Sequence, residues 1–137
     1  MTIRHTGGCL CGAVRYEAEG EPLFAGVCFC RDCQKASGSG FIPFMAFAAA
    51  KVRVSGQTRV VVTKAANGGD AHRNFCPTCG SLLFGGIVGV HDQHTIYAGT
   101  LDDASAFEPR FAIFNKSRPA WAPLPEGLQV FEAMPSS

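Results

Sequence analysis

Apolar and polar residues alternate in "GAVRYEAEG", with Val14 and Tyr16 on one side and Arg15 and Glu17 on the other. That period of two predicts a half-buried strand. "GFIPFMAFAAAKVRVSG" predicts two more short strands, the first carrying Phe41 and Phe47 and the second Val52 and Val54. Pro43 cannot donate to a ladder, which predicts an edge or bulge position for the first of them. "TRVVVTKA" is β-branched and short, and "AANGGD" behind it is turn chemistry. Further strand-like runs occur at "SLLFGGIVGV", "HTIYAGTL" and "RFAIFN", separated by Gly, Asp and Pro. No long segment keeps a helical period; only a turn or two around Cys33 to Ala36 is predicted helical. "SRPAWAPLPEGLQVFE" is Pro-rich and predicts an extended tail that packs Trp121 over the sheet. The pattern is that of a mostly β fold, and residues 1–137 are long enough for one domain.

Composition narrows the partners. The chain is 47% hydrophobic and 17% charged, a globular balance, and its formal net charge is +1. That charge gives little reason to seek nucleic acid or an anionic membrane. No apolar run approaches the roughly 18 residues of a membrane span, and "MTIRHTGGCLCG" lacks the apolar core of a signal peptide. The expectation is a soluble, cytoplasmic protein whose thiols stay reduced. Its seven cysteines are odd in number and too sparse for a small disulfide scaffold, so they read as metal ligands. Holding two Zn²⁺ on seven thiolates would move the formal charge from +1 to about −2, further from a nucleic-acid binder.

The cysteines form three clusters: Cys9 and Cys11; Cys28, Cys30 and Cys33; and Cys76 and Cys79. On a strand, i and i+2 side chains share a face, so Cys9 and Cys11 could aim at one ion. "CPTCG" reads as a knuckle, stiffened by Pro77 and freed by Gly80 to take positive φ. A structural zinc needs four donors at about 2.3 Å. Cys9, Cys11, Cys76 and Cys79 make four, which leaves Cys28, Cys30 and Cys33 with an open fourth position, the pattern of catalytic zinc. A rival grouping pairs Cys30 and Cys33 with Cys76 and Cys79 and strands the other three. Burial as plain small hydrophobes and a redox reading of "CRDC" are further alternatives, the latter without a surrounding βαβ pattern.

Other candidates are less specific. Arg31 and Lys35 flank the triplet and read first as solvated cations, with charge compensation or carboxylate binding as the functional reading. Ser37 and Ser39 could offer hydroxyls near a metal, though a plain loop accounts for them. His91 and His94 in "HDQH" suit a polar turn or, less readily, ligation; His72 and Arg73 read as solvent-facing. Asp102 and Asp103 read as a capping turn rather than a catalytic carboxylate pair. Phe41, Phe44 and Phe47 read as core, with a share in lining a pocket.

Taken in order, "GGCLCGAVRYEAEG", "CFCRDCQKASGSGF", "RNFCPTCGSLLF", "AGTLDD" and the segment around Trp121 resemble the glutathione-dependent formaldehyde-activating enzyme family, which includes centromere protein V. The resemblance runs over nearly the whole chain and departs at two positions where the family often has histidine, Phe29 and Ala112. It implies a small zinc-containing all-β fold of twisted antiparallel sheets, similar to that of the Rab-GTPase chaperones. It implies a structural zinc on Cys9, Cys11, Cys76 and Cys79 and an active-site zinc on Cys28, Cys30 and Cys33. It also implies a carbon–sulfur lyase or synthase reaction between a small thiol such as glutathione and an aldehyde such as formaldehyde. Three thiolates leave a Zn²⁺ complex at formal charge −1, a weak Lewis acid, so the expected role of that site is thiol delivery. A zinc-stabilised protein-binding module is the alternative.

Overall fold

A computed structural model describes residues 3–65 and 67–135. In chain order the strands are β1 (Arg4–Gly8), β2 (Arg15–Glu19), β3 (Phe24–Cys28), β4 (Ile42–Ala48), β5 (Val52–Ser55), β6 (Arg59–Lys64), β7 (Asp70–Phe75), β8 (Leu82–Gly85), β9 (Gln93–Tyr97), β10 (Phe111–Ile113) and β11 (Gln129–Val130). One helix, α1 (Arg31–Ser37), lies between β3 and β4. No described helix is long and apolar enough to cross a membrane.

The strands form a three-stranded antiparallel sheet, β1-β2-β5, and an eight-stranded sheet, β11-β10-β3-β4-β9-β8-β7-β6. The second is mixed rather than antiparallel throughout, because β10 runs parallel to both β3 and β11. Register determines what each face of this sheet carries. Ala25 stands opposite Met45, Met45 opposite Ile96, Ile96 opposite Phe84 and Phe84 opposite Asn74. This row packs with Val14, Tyr16 and Ala18 from the smaller sheet in the largest buried apolar cluster. Alternation sends the other row to the opposite face: Cys28 beside Ile42, Gly26 beside Phe44 and Tyr97, and Thr95 beside Gly85 and Arg73.

Two expectations change. β4 is central in its sheet, not an edge, yet its pairing with β9 starts only at Phe44. Pro43 therefore stands in the one-sided end of the strand, paired through β3 alone, where a missing N–H is tolerated. Trp121 does not pack over the sheet; it is 72% exposed, and Ala122 takes the buried place at 1%. Gly40 explains the exchange, since a methyl there would come within 2.7 Å of the Ala122 Cβ and 3.1 Å of the indole. Within "AANGGD", Ala66 lies outside the described residues; around it Ala65 N–H donates to the Gly69 carbonyl at 2.7 Å and closes the β6–β7 turn.

Candidate metal centres and the adjoining cleft

The cysteine sulfurs gather as four and three: Cys9, Cys11, Cys76 and Cys79 within 4.8 Å of one another, and Cys28, Cys30 and Cys33 likewise. No described histidine or carboxylate joins either group. The rival grouping of Cys30 and Cys33 with Cys76 and Cys79 is not the one formed.

Cys9 and Cys11 lie in a turn after β1 and not on a strand. Gly12 at φ +83° turns the chain back, and the Cys9 N–H donates to the Val14 carbonyl at 3.0 Å. The Val14 N–H in turn donates to Cys9 Sγ at 3.2 Å. The knuckle at Cys76 closes similarly, with the Gly80 N–H on the Cys76 carbonyl at 2.8 Å and Gly80 at φ +79°. Ser81 ties the two loops together: its Oγ accepts the Leu10 N–H at 3.0 Å and lies 3.2 Å from Cys79 Sγ. That hydroxyl, with the backbone N–H groups of Ser81 and Cys11, brings the Cys79 thiol down to about 5. Sulfur separations of 3.6 Å (Cys9–Cys11) and 3.8 Å (Cys11–Cys76) match the edge of about 3.8 Å for a tetrahedron with Zn–S of about 2.3 Å.

The triplet is built at a strand-to-helix junction. Cys28 ends β3, Cys30 is the N-cap of α1 and accepts the Cys33 N–H on its sulfur at 3.3 Å, and Cys33 follows in the first turn. Gln34 holds the junction, donating from Nε2 to the Phe29 carbonyl at 2.8 Å and the Ser117 carbonyl at 2.9 Å. Hydrogen bonds from the Cys28 and Cys33 thiols, then from backbone N–H groups, push the Cys30 thiol well below its ordinary value, while sharing with Cys30 pushes Cys28 up. Phe29 and Ala112, the two departures from the family pattern, are fully buried in one apolar cluster with Val27 and Ala122.

Beside the triplet a cleft of about 610 Å³ opens over the second face of the large sheet, within the usual 300–1,000 Å³ or so of small-molecule sites. Cys28, Cys30 and Cys33 line it together with Phe44, Arg73 and Tyr97. The expectation of pocket lining holds for Phe44, whereas Phe47 is in the main core and Phe41 packs on Phe29. Arg73 corrects its solvent-facing expectation: it is 9% exposed and turned into the cleft, because β7 pairs on both sides and alternation opposes it to the core residue Asn74. Neither it nor Tyr97 carried a sequence signal; only the strand register points them at the cysteines.

The remaining candidates disperse. His72 is partly exposed and lines the cleft with His91, their ring centroids 4.7 Å apart, and His91 Nδ1 accepts the Ile87 N–H at 2.7 Å. His94 is buried, 3.1 Å through Nδ1 from the Gly85 carbonyl, and does not meet His91. Arg31 hydrogen-bonds Gln34 Oε1, Lys35 is exposed, and neither lines the cleft. Ser37 Oγ donates to the Cys33 carbonyl at 2.7 Å, and Ser39 donates its N–H to Ser37 Oγ at 3.2 Å, as a helix-end loop does. Asp102 accepts from Thr6 at 2.7 Å and from Arg15, which holds its carboxyl below the usual range, and Asp103 caps Ser105 at 3.1 Å.

Fold and sulfurs together define a mostly β protein with two thiol clusters suited to a metal such as zinc. The family model described as glutathione-dependent formaldehyde-activating enzyme matches residues 4–117, and the chain belongs to that family. A crystal structure of a Rhodobacter sphaeroides protein is similar in fold, at a TM-score of 0.52 and 22% identity, over 71% of this chain and 87% of that one.

Proposed function

We propose that the protein is an enzyme that joins a small thiol, glutathione or a similar one, to an aldehyde such as formaldehyde, and runs the reverse carbon–sulfur cleavage. In this reading Cys9, Cys11, Cys76 and Cys79 hold a structural zinc, and Cys28, Cys30 and Cys33 hold a second, catalytic one. The observation that carries it is that three converging sulfurs lie on the wall of a cleft, while the other four gather by themselves in the number a tetrahedral site needs. The donor chemistry fits: thiolate sets suit zinc, as they do other soft-ligand metal centres. Bound at the triplet, zinc would supply a cation that keeps an incoming thiol deprotonated at neutral pH.

The chain's own residues do the rest. Ile42, Phe44 and Ile113 give the cleft an apolar wall that limits water around the reacting sulfur. The Gln34 bonds fix the junction, so that the triplet keeps its spacing as a guest enters. In the forward direction the thiol sulfur bonds to the aldehyde carbon and the thiol proton ends on the former carbonyl oxygen, giving RSCH₂OH from formaldehyde. We assign the activity to one domain spanning 1–137 and to the cytoplasm, where thiols stay reduced.

Metal analysis on protein purified with zinc and reductant should give two zinc ions per chain, and NMR of thiol–aldehyde pairs should show protein-accelerated exchange with the S-hydroxymethyl adduct. Two zinc ions with no acceleration for any pair would favour the protein-binding module; one zinc ion would remove the catalytic centre.

A further inference from the structure

Arg73 is a buried cation in search of an anion. Among the described residues no carboxylate lies within ion-pair distance of it. One hydrogen bond, from Nη1 to Thr63 Oγ1 at 2.9 Å, anchors the side chain along the sheet and leaves other donors of the guanidinium over. Next to Arg73 the ladder places Gly85, which has no side chain, and beyond it β9. The Tyr97 hydroxyl reaches back across that gap: a methyl on Gly85 would sit 3.5 Å from Tyr97 Oη. Arg73 and Tyr97 line the cleft together with Cys28, Cys30 and Cys33. A phenol hydroxyl can donate a hydrogen bond as readily as accept one. A guanidinium and a phenol therefore share one bare patch of floor beside the triplet.

A mostly buried guanidinium that lines a cleft and has no carboxylate beside it is placed to receive an anion from that cleft. Addition of a thiol to an aldehyde creates such an anion transiently on the carbonyl oxygen. We propose that Arg73 and the Tyr97 hydroxyl form an oxyanion site beside the cysteine triplet, holding the negative charge that develops on the aldehyde oxygen during thiol addition. The inference rests on the thiol–aldehyde reading. In the step a sulfur–carbon bond forms, the C=O π bond opens, and its electron pair moves to oxygen. The oxygen then takes up one proton, matching the one the thiol released, and nothing is oxidised or reduced. Donors fixed where charge develops act on the transition state more than on the bound substrate, so they govern kcat rather than KM.

The test compares the zinc-loaded wild-type chain with Arg73→Gln and Tyr97→Phe by NMR exchange, using formaldehyde with glutathione and with the uncharged thiol 2-mercaptoethanol. Arg73→Gln should lower kcat about a hundredfold or more with both thiols, with little change in KM. Loss confined to the KM for glutathione would overturn the proposal and make Arg73 a carboxylate anchor, and an unchanged kcat with 2-mercaptoethanol would overturn it too. Should Arg73→Gln fail to fold, Tyr97→Phe decides the matter, with a lowered kcat expected and an unchanged one fatal. A binding readout separates this inference from the reading beneath it. By calorimetry Arg73→Gln should bind 2-mercaptoethanol as the wild type does, because the site acts on the developing oxygen charge and not on the thiol; weakened thiol binding would overturn the proposal. Wild-type protein that turns over no pair sinks the thiol–aldehyde reading, whereas wild-type turnover with kcat unchanged in both variants sinks only the oxyanion site.

Discussion

At the residue scale one tight constraint away from sulfur is Gly7, which pairs with Tyr16 across β1 and β2. A Cβ there would lie 2.3 Å from the Tyr16 hydroxyl and 2.4 Å from the Thr100 carbonyl, and the Tyr16–Thr100 hydrogen bond of 2.7 Å holds both in place. Gly7→Ala should therefore destabilise the fold by about 1–3 kcal/mol, the cost of overpacking a site that cannot relax. Urea unfolding at unchanged slope would register it; a loss well under half a kcal/mol would mean that the tyrosine moves aside freely. The cysteines are legible as residues, because thiols clustered at such short spacing have few roles besides holding a metal. Arg73 is not: nothing in "HRNF" says which side of a strand it faces, and only pairing with β6 and β8 turns it inward.

Among the elements, α1 is short enough that its own hydrogen bonds cannot hold it. Its order comes from the Cys30 cap, Gly38 at φ +68° behind it, and the two carbonyls gripped by Gln34. Gln34→Ala should cost about 1–3 kcal/mol by orphaning the buried Phe29 carbonyl. It should also lower zinc retention in a chelator titration at one site per chain, not two; equal weakening of both would mean that the helix does not support the triplet specifically. The helix is readable around Cys33, as are β2, β4, β5 and β6, from apolar runs or strict alternation. β1, β3 and β7 carry no such pattern. "RHTGG" and "DAHRNF" contain few β-branched residues, and these segments are strands because their neighbours pair with them. The C-x-C geometry departs from a strand for a related local reason, since β1 ends at Gly8 and both sulfurs fall in the turn that Gly12 closes.

On the scale of the whole molecule, the two cysteine clusters differ in what they connect. Cys9 and Cys11 follow β1 in the smaller sheet, whereas Cys76 and Cys79 lie between β7 and β8 of the larger, so a metal there would bind sheet to sheet. The triplet belongs to the end of β3 in the larger sheet and to the start of α1. Cys79→Ala should accordingly lower Tm by well over 10 °C, because metal binding at such a site is folding free energy. Cys30→Ala should keep Tm within a few degrees and lose turnover. Differential scanning calorimetry with and without zinc measures both, and the reverse order would exchange the roles of the two clusters. Spacing favours the partition into four and three but also allows Cys30 and Cys33 to join Cys76 and Cys79, and only the fold decides between them; that the clusters lie on different sides of the same sheet depends on the register of five strands.

That separation has a consequence for how such a chain can diverge. Cys9 and Cys76 belong to the packed interior between the sheets, and Cys28 and Cys30 to a distinct cluster bordering the cleft. Positions such as Thr95 and Gly85 line that cleft. A lineage can thus exchange one guest for another by altering that surface while the seam that keeps the molecule whole goes untouched, so ancestry and chemical taste are free to part company.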